Sequence, residues 1–213
     1  MYAKYGWHTM LKFNDKRTEF SVSNNSVEIF NRHKSTHKTF TLSKELHDEL
    51  LIVFRDIFGL DSADWSYADG GILDGKSKHI SGLVVIWDIL VRNGDWLLGS
   101  TYQERYNWLL EKAAAAGGKP FIVTINGQEF DFGIKLSEHV FLPRFFNDLS
   151  TAWELTQVVN KAAGWSTEGG GEPVLEGVIL KDPHGTLKPD NGKAENNNDW
   201  SARSRVRTGR HRN

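Results

Sequence analysis

Residues 83–91 read Leu-Val-Val-Ile-Trp-Asp-Ile-Leu-Val, an apolar run broken only by Asp88. A strand with one wet face alternates apolar and polar residues, whereas one that is apolar on both faces has to be covered on both. This run therefore belongs in the middle of a sheet with packed material on either side, which excludes an all-helical bundle. The chain has enough substance for such a layered core, with 213 residues of which 39% are hydrophobic and 25% charged.

The surrounding pattern supplies both strands and helices. Tyr2 to Phe13, Glu19 to Val22 and Val27 to Asn31 are short aromatic or β-branched runs, and Asn24-Asn25 between the last two is a hairpin turn signal. Ser43 caps an expected helix from Lys44 to Phe58, whose Leu46, Leu50, Val53, Phe54 and Ile57 share a face, and Gly59 ends it. Trp65 to Gly71 reads as a loop. Asn93-Gly94 turns the central strand into a short return strand, Asp95 to Leu98. Thr101-Tyr-Gln-Glu104 is a capping box opening a helix that runs to Gly117-Gly118. A strand over Pro120 to Ile125, a helix over Thr151 to Ala163 and a strand over Val174 to Lys181 follow, then a polar surface loop from Asp182 to Asn198. Strands and helices mixed in this order, joined by hairpins, predict an α+β fold in a single domain, residues 1–213.

Several chemistries drop out. With no cysteine there is no disulfide scaffold, thiolate metal site or cysteine nucleophile. The N-terminus lacks a secretory layout, and no apolar stretch reaches the roughly 20 residues that cross a bilayer. A cytoplasmic chain without membrane contact is expected. Basic and acidic residues nearly balance, 26 against 27, but the tail is locally basic: Arg203, Arg205, Arg207, Arg210 and Arg212 follow Trp200 with no acid among them. Such a tail suits contact with a phosphate backbone. His33-x-x-x-His37 has the spacing of two ligands on one helix face, but its surroundings are not helical and it lacks the glutamate of a zinc motif.

The segment richest in chemistry is Glu176-Gly177-Val178-Ile179-Leu180-Lys181. Its two charges lie five apart, on opposite faces of a regular strand unless a bulge intervenes. Upstream lie Ile86-Trp87-Asp88-Ile89-Leu90, with Gly94, Tyr102 and Arg105 after it, and Asn31-Arg32-His33; downstream lies Trp200-Ser-Ala-Arg203-Ser-Arg205. This order resembles the covalent nucleotidyltransferases, that is, ATP-dependent DNA and RNA ligases and capping enzymes, and looks most like the short RNA ligases of bacteriophages. The resemblance runs over nearly the whole chain. Residues 176–181 match the family's fourth motif closely, residues 86–90 the third, and Arg203-x-Arg205 stands where the fifth has Lys-x-Lys or Lys-x-Arg.

The resemblance implies an ATP-grasp-like ligase adenylation domain of antiparallel sheets flanking an ATP cleft, with helices outside and no OB-fold domain after Arg205. It implies an RNA ligase using ATP and Mg²⁺ or Mn²⁺: a lysine takes AMP from ATP, passes it to a 5′-phosphate end, and a 3′-hydroxyl then seals the strand. RNA ends are its expected partner, a monomer its expected state, and a host cytoplasm its expected place if the chain comes from a phage. Lys4 is implied as nucleophile, Glu176 as a carboxylate beside it that holds the metal, and Arg32 as a contact to the nucleotide. Trp87 is implied to stack on adenine, and Lys181, Arg203 and Arg205 to neutralise phosphate. Two positions depart from the pattern. The family's first motif is Lys-x-Asp/Asn-Gly, whereas Lys4 has its glycine only two residues on; and Asp69-Gly70-Gly71 stands where the family reads Asp-Gly-Glu. These departures motivate a second reading, an inactive or trapped relative that still binds nucleotide or nucleic-acid ends. An ATP-dependent DNA ligase is a further alternative, because no residue in the sequence identifies a reader of the 2′-hydroxyl.

Overall fold

The computed structural model describes residues 6–31, 33–37, 40–61, 63–73, 79–166 and 172–189, and the backbone of 201–205. Three strands open the chain: β1 (His8–Phe13), β2 (Lys16–Ser23) and β3 (Ser26–Asn31). Asn24 and Asn25, at φ 48° and 58°, make the tight β2–β3 turn, a backbone region that asparagine tolerates better than most residues. Helix α1 (Lys44–Ile52) starts on the Ser43 side chain, which accepts from Leu46 N, and continues as a π-helical turn over Val53–Ile57.

Next come β4 (Ser66–Leu73), the central β5 (Leu83–Arg92) and β6 (Asp95–Trp96). The expected loop at Trp65–Gly71 is thus mostly strand. Glycines and an aspartate weaken a strand pattern in isolation, but β4 is clamped between β2 and β5 along its length. Helix α2 (Tyr102–Ala115) carries the full capping box between Thr101 and Glu104. The chain then runs through β7 (Lys119–Ile125), β8 (Gln128–Lys135), β9 (Val140–Pro143), β10 (Phe145–Phe146), α3 (Leu149–Ala162), β11 (Leu175–Lys181) and β12 (Ser201–Arg205).

Two sheets result. The larger has the order β3-β2-β4-β5-β9-β8-β7 with β6 beside β5; the smaller is β10-β1-β11-β12. All pairs are antiparallel except β5 with β9, which is parallel, so the larger sheet is mixed rather than purely antiparallel. As its sequence requires, β5 is covered on both faces. Val84, Ile86 and Ile89 join a core with Leu50, Phe54, Phe58, Tyr102 and Leu109 from α1, the π-turn and α2. Val85 and Trp87 face a second core with Met10, Phe13 and Leu175 from the smaller sheet and Val159 from α3. The architecture is α+β, as expected. Among the described residues no helix is long and apolar enough to cross a membrane.

Candidate active site

Chain geometry places Lys12 at the seam between the sheets. It is the next-to-last residue of β1 in the small sheet, and after Phe13 two residues, Asn14 and Asp15, carry the chain across to β2 in the large one. Asn14 is buried and fastens this crossing, donating through its backbone N–H to Val174 O at 3.2 Å and through Nδ2 to Pro173 O at 3.1 Å. The crossing is therefore tied to the residues that lead into β11.

Opposite it, β11 is bulged. Lys12 pairs with Gly177 and Phe13 with Leu175, so Glu176 is an extra residue in the β1–β11 register. Gly177 adopts φ 142°, a conformation that L side chains rarely take. A bulge re-aims side chains and interrupts strict alternation. Here it turns the Glu176 carboxylate onto the Lys12 ammonium in a short ion pair, with the two side chains 27% and 11% exposed. Asp15 lies beside the pair. Burial pushes its carboxyl up to about 6, the negative charges of Glu176 and Asp69 add to the rise, and Lys12 opposes it.

The floor of the site is a lattice of buried charge. Asp69 on β4 pairs across the sheet with Asp88 on β5, and each acid has its own arginine. Arg17 donates to both oxygens of Asp69 (3.0 and 2.9 Å), and Arg105 from α2 donates to both oxygens of Asp88 (2.8 and 2.9 Å). Arg105 also donates to Ser100 O at 2.7 Å. Bidentate pairing is how a buried acid avoids an uncompensated charge. Arg17 is held more firmly protonated by Asp69, and Glu19 and Asp15 add to the effect.

Lys181, at the far end of β11, is buried with its ammonium 4.4 Å from the centre of the Tyr102 ring. Burial pulls its amine down to about 8, against the attraction of Asp88 and Asp69. Tyr102 in turn donates to Trp87 O at 2.9 Å, joining Lys181, β5 and α2 in one network.

Of the residues singled out in the sequence, Glu176 and Lys181 face this network from one bulged strand. Trp87 is 9% exposed on β5, beside the core shared by the sheets. Lys4 and Arg32 lie outside the described residues. Arg203 and Arg205 have backbone positions only, paired with Ile179 and Gly177 respectively. The zinc spacing finds no support in the described contacts: His37 Nε2 lies 3.1 Å from Thr18 Oγ1, and the one described group with metal-ligand geometry is Glu49, Glu138 and His139 on another part of the surface.

Lys12, Asp15 and Arg17 stand in this arrangement although sequence reasoning did not single them out. The signal was present: Lys12-Phe13-Asn14 fits Lys-x-Asn, with Asp15 where the pattern has glycine. A divalent ion suits the donor chemistry at Glu176, because Mg²⁺ takes one or two protein carboxylates and completes its shell with phosphate and water oxygens.

No protein-family model and no curated protein matches the sequence. Solved structures do match it. The ligase domain of M. tuberculosis LigD superposes with a TM-score of 0.50 at 18% identity over 86% of this chain. A mycobacterial DNA ligase D complexed with ATP and MES gives a TM-score of 0.49 at 17% identity over the same share. The chain spans half the length of each of these proteins. The chain thus shares the α+β fold of the LigD ligase domain, with the Lys12–Glu176 pair at the junction of its two sheets.

Proposed function

We propose that the protein is an ATP-dependent polynucleotide ligase and that Lys12 is the residue that carries AMP. The carrying observation is the Lys12–Glu176 pair: a lysine on one strand held against the carboxylate of Glu-Gly-Val-Ile-Leu-Lys at a bulge between two sheets. In the first step the Lys12 nitrogen gives its lone pair to the α-phosphorus of ATP. The bond from that phosphorus to the bridging oxygen breaks, and pyrophosphate leaves with its electrons. A lysine amine is protonated near neutral pH, so it must give up a proton to attack. Glu176, in contact with the ammonium, is the group placed to receive it.

A 5′-phosphate oxygen then attacks the same phosphorus and breaks the P–N bond, which returns the amine. Finally a 3′-hydroxyl oxygen attacks the 5′-phosphorus, its proton going to solvent, and the bond from that phosphorus to the bridging oxygen breaks so that AMP leaves with those electrons. Transfer of this kind depends on positioning and charge neutralisation more than on covalent chemistry by the protein. Lys181 supplies a fixed cation toward phosphate; Arg32, Arg203 and Arg205 are proposed to add to it, and Trp87 to stack on the base. Mg²⁺, held at Glu176, would neutralise phosphate oxygens when bound.

RNA ends are the proposed substrate, on the resemblance to phage RNA ligases. DNA is the second reading, and the similarity to the LigD ligase domain is compatible with either. Incubation with α-labelled ATP and Mg²⁺ tests the function. A labelled band should survive denaturing electrophoresis in the wild type and in Lys4→Ala and disappear in Lys12→Ala of unchanged fold. No band from folded wild type would favour the inactive relative. Nicked duplexes carrying an RNA or a DNA 5′-phosphate then separate the two substrates.

A further inference from the structure

Gly71 and Asp15 both depart from the motif patterns that the sequence resembles, and in the structure they meet. Gly71 on β4 pairs with Arg17 on β2, two residues beyond Asp15. A Cβ placed on Gly71 would lie 2.5 Å from Asp15 Oδ2 and 2.9 Å from both its Cβ and Cγ, closer than real Cβ contacts come. The volume that a side chain at position 71 would enter is therefore filled by the side chain of Asp15. That side chain is a carboxylate, the same group that the Asp-Gly-Glu pattern would carry at 71. Its electrostatic neighbours are Lys12, Glu176 and Asp69, the members of the candidate site.

We propose that the cleft carboxylate has moved in this chain from position 71 to position 15, where Asp15 acts as a positioning residue for Lys12. Gly71 is then the consequence of that move: it leaves the space that Asp15 fills. Glu176 from β11 pairs with the ammonium directly, and Asp15, in the β1–β2 crossing, acts on it through its neighbouring charge. The amine is thereby held at the seam between the sheets instead of swinging into solvent. The inference rests on Lys12 being the AMP carrier, but the exchange of positions is a separate claim.

Four proteins test it: wild type, Asp15→Gly, Gly71→Glu and the double variant. Gly71→Glu alone forces a carboxylate into occupied space beside another and should lower both the thermal midpoint and the rate of labelling. Asp15→Gly alone should slow AMP transfer at saturating ATP at least tenfold, with less effect on the ATP concentration needed for half the rate. The double variant restores one carboxylate to one space and should recover midpoint and rate to within a few fold of wild type. Asp15→Asn, which keeps the shape and loses the charge, should be as slow as Asp15→Gly.

The role also has a readout that needs no nucleotide. Reductive methylation followed by peptide mass analysis should find Lys12 several-fold more reactive in Asp15→Asn than in wild type, with the exposed Lys119 unchanged. Effects of the two single substitutions that simply add in the double variant would overturn the exchange. Unchanged labelling rates and unchanged Lys12 methylation in Asp15→Asn would overturn the positioning role. A wild type that takes no label would defeat the proposed function instead, while midpoints and methylation still decide these two claims.

Discussion

Lys181 shows how much of this site depends on where a charge is buried. Its amine, ordinarily near 10.5, is drawn down to about 8 because burial penalises the ammonium more than Asp88 and Asp69 support it, with Arg17 and Arg105 adding repulsion. Between pH 8 and 10.5 the unfolded chain therefore binds a proton that the folded chain does not, so stability attributable to this group rises with pH across that window. Below pH 8 the charged lysine is a cost of up to about 3 kcal/mol. Lys181→Met should be more stable than the wild type at pH 7, and the difference should shrink as pH rises from 8 to 10.5. Urea unfolding at several pH values measures it; a pH-independent difference would refute it. At this scale the sequence was legible for Glu176 and Lys181, which lie in one contiguous string. Lys12 was not, because its significance comes from a partner 164 residues away and its motif carries Asp15 in place of glycine.

At the scale of elements, bulges and caps decide which faces the charged residues take. The expectation that Glu176 and Lys181 point oppositely holds only for a regular strand, and the extra residue at Glu176 removes that condition. Helix α2 was readable from its capping box and delivers Arg105 to Asp88. Strand β4 was not readable, since Gly70 and Gly71 look like a turn until β2 and β5 are seen pairing on either side. These glycines answer to neighbours: a Cβ on Gly70 would meet Val85 O at 2.3 Å. The Asp88–Arg105 pair, with both side chains at most 3% exposed, gives a prediction that belongs to the β5–α2 contact. Arg105→Met should cost about 3–5 kcal/mol in equilibrium unfolding, because Asp88 is left as an uncompensated buried charge. Adding Asp88→Asn should recover part of the loss. Recovery of none of it would mean that the cost lies in the lost bond to Ser100 O and not in the charge.

For the whole molecule, the doubly covered strand at 83–91 was the constraint that mattered most, and it fixed more than a fold class. Its apolar faces hold α1 and α2 on one side and the small sheet on the other. The small sheet brings β1 and β11 together, and with them Lys12 and Glu176. A short crossing of two residues then links β1, the strand of Lys12, to the sheet that carries Asp69 and Asp88. Strand pairing over such sequence distances leaves no local trace, which explains why the contact between Lys12 and Glu176 could not be anticipated from the sequence. The most direct test is to locate the AMP. Wild-type protein incubated with ATP and Mg²⁺, kept from acid and digested for fragment mass analysis, should carry one AMP on Lys12. AMP on Lys4, or on no lysine of a folded protein, would contradict the account.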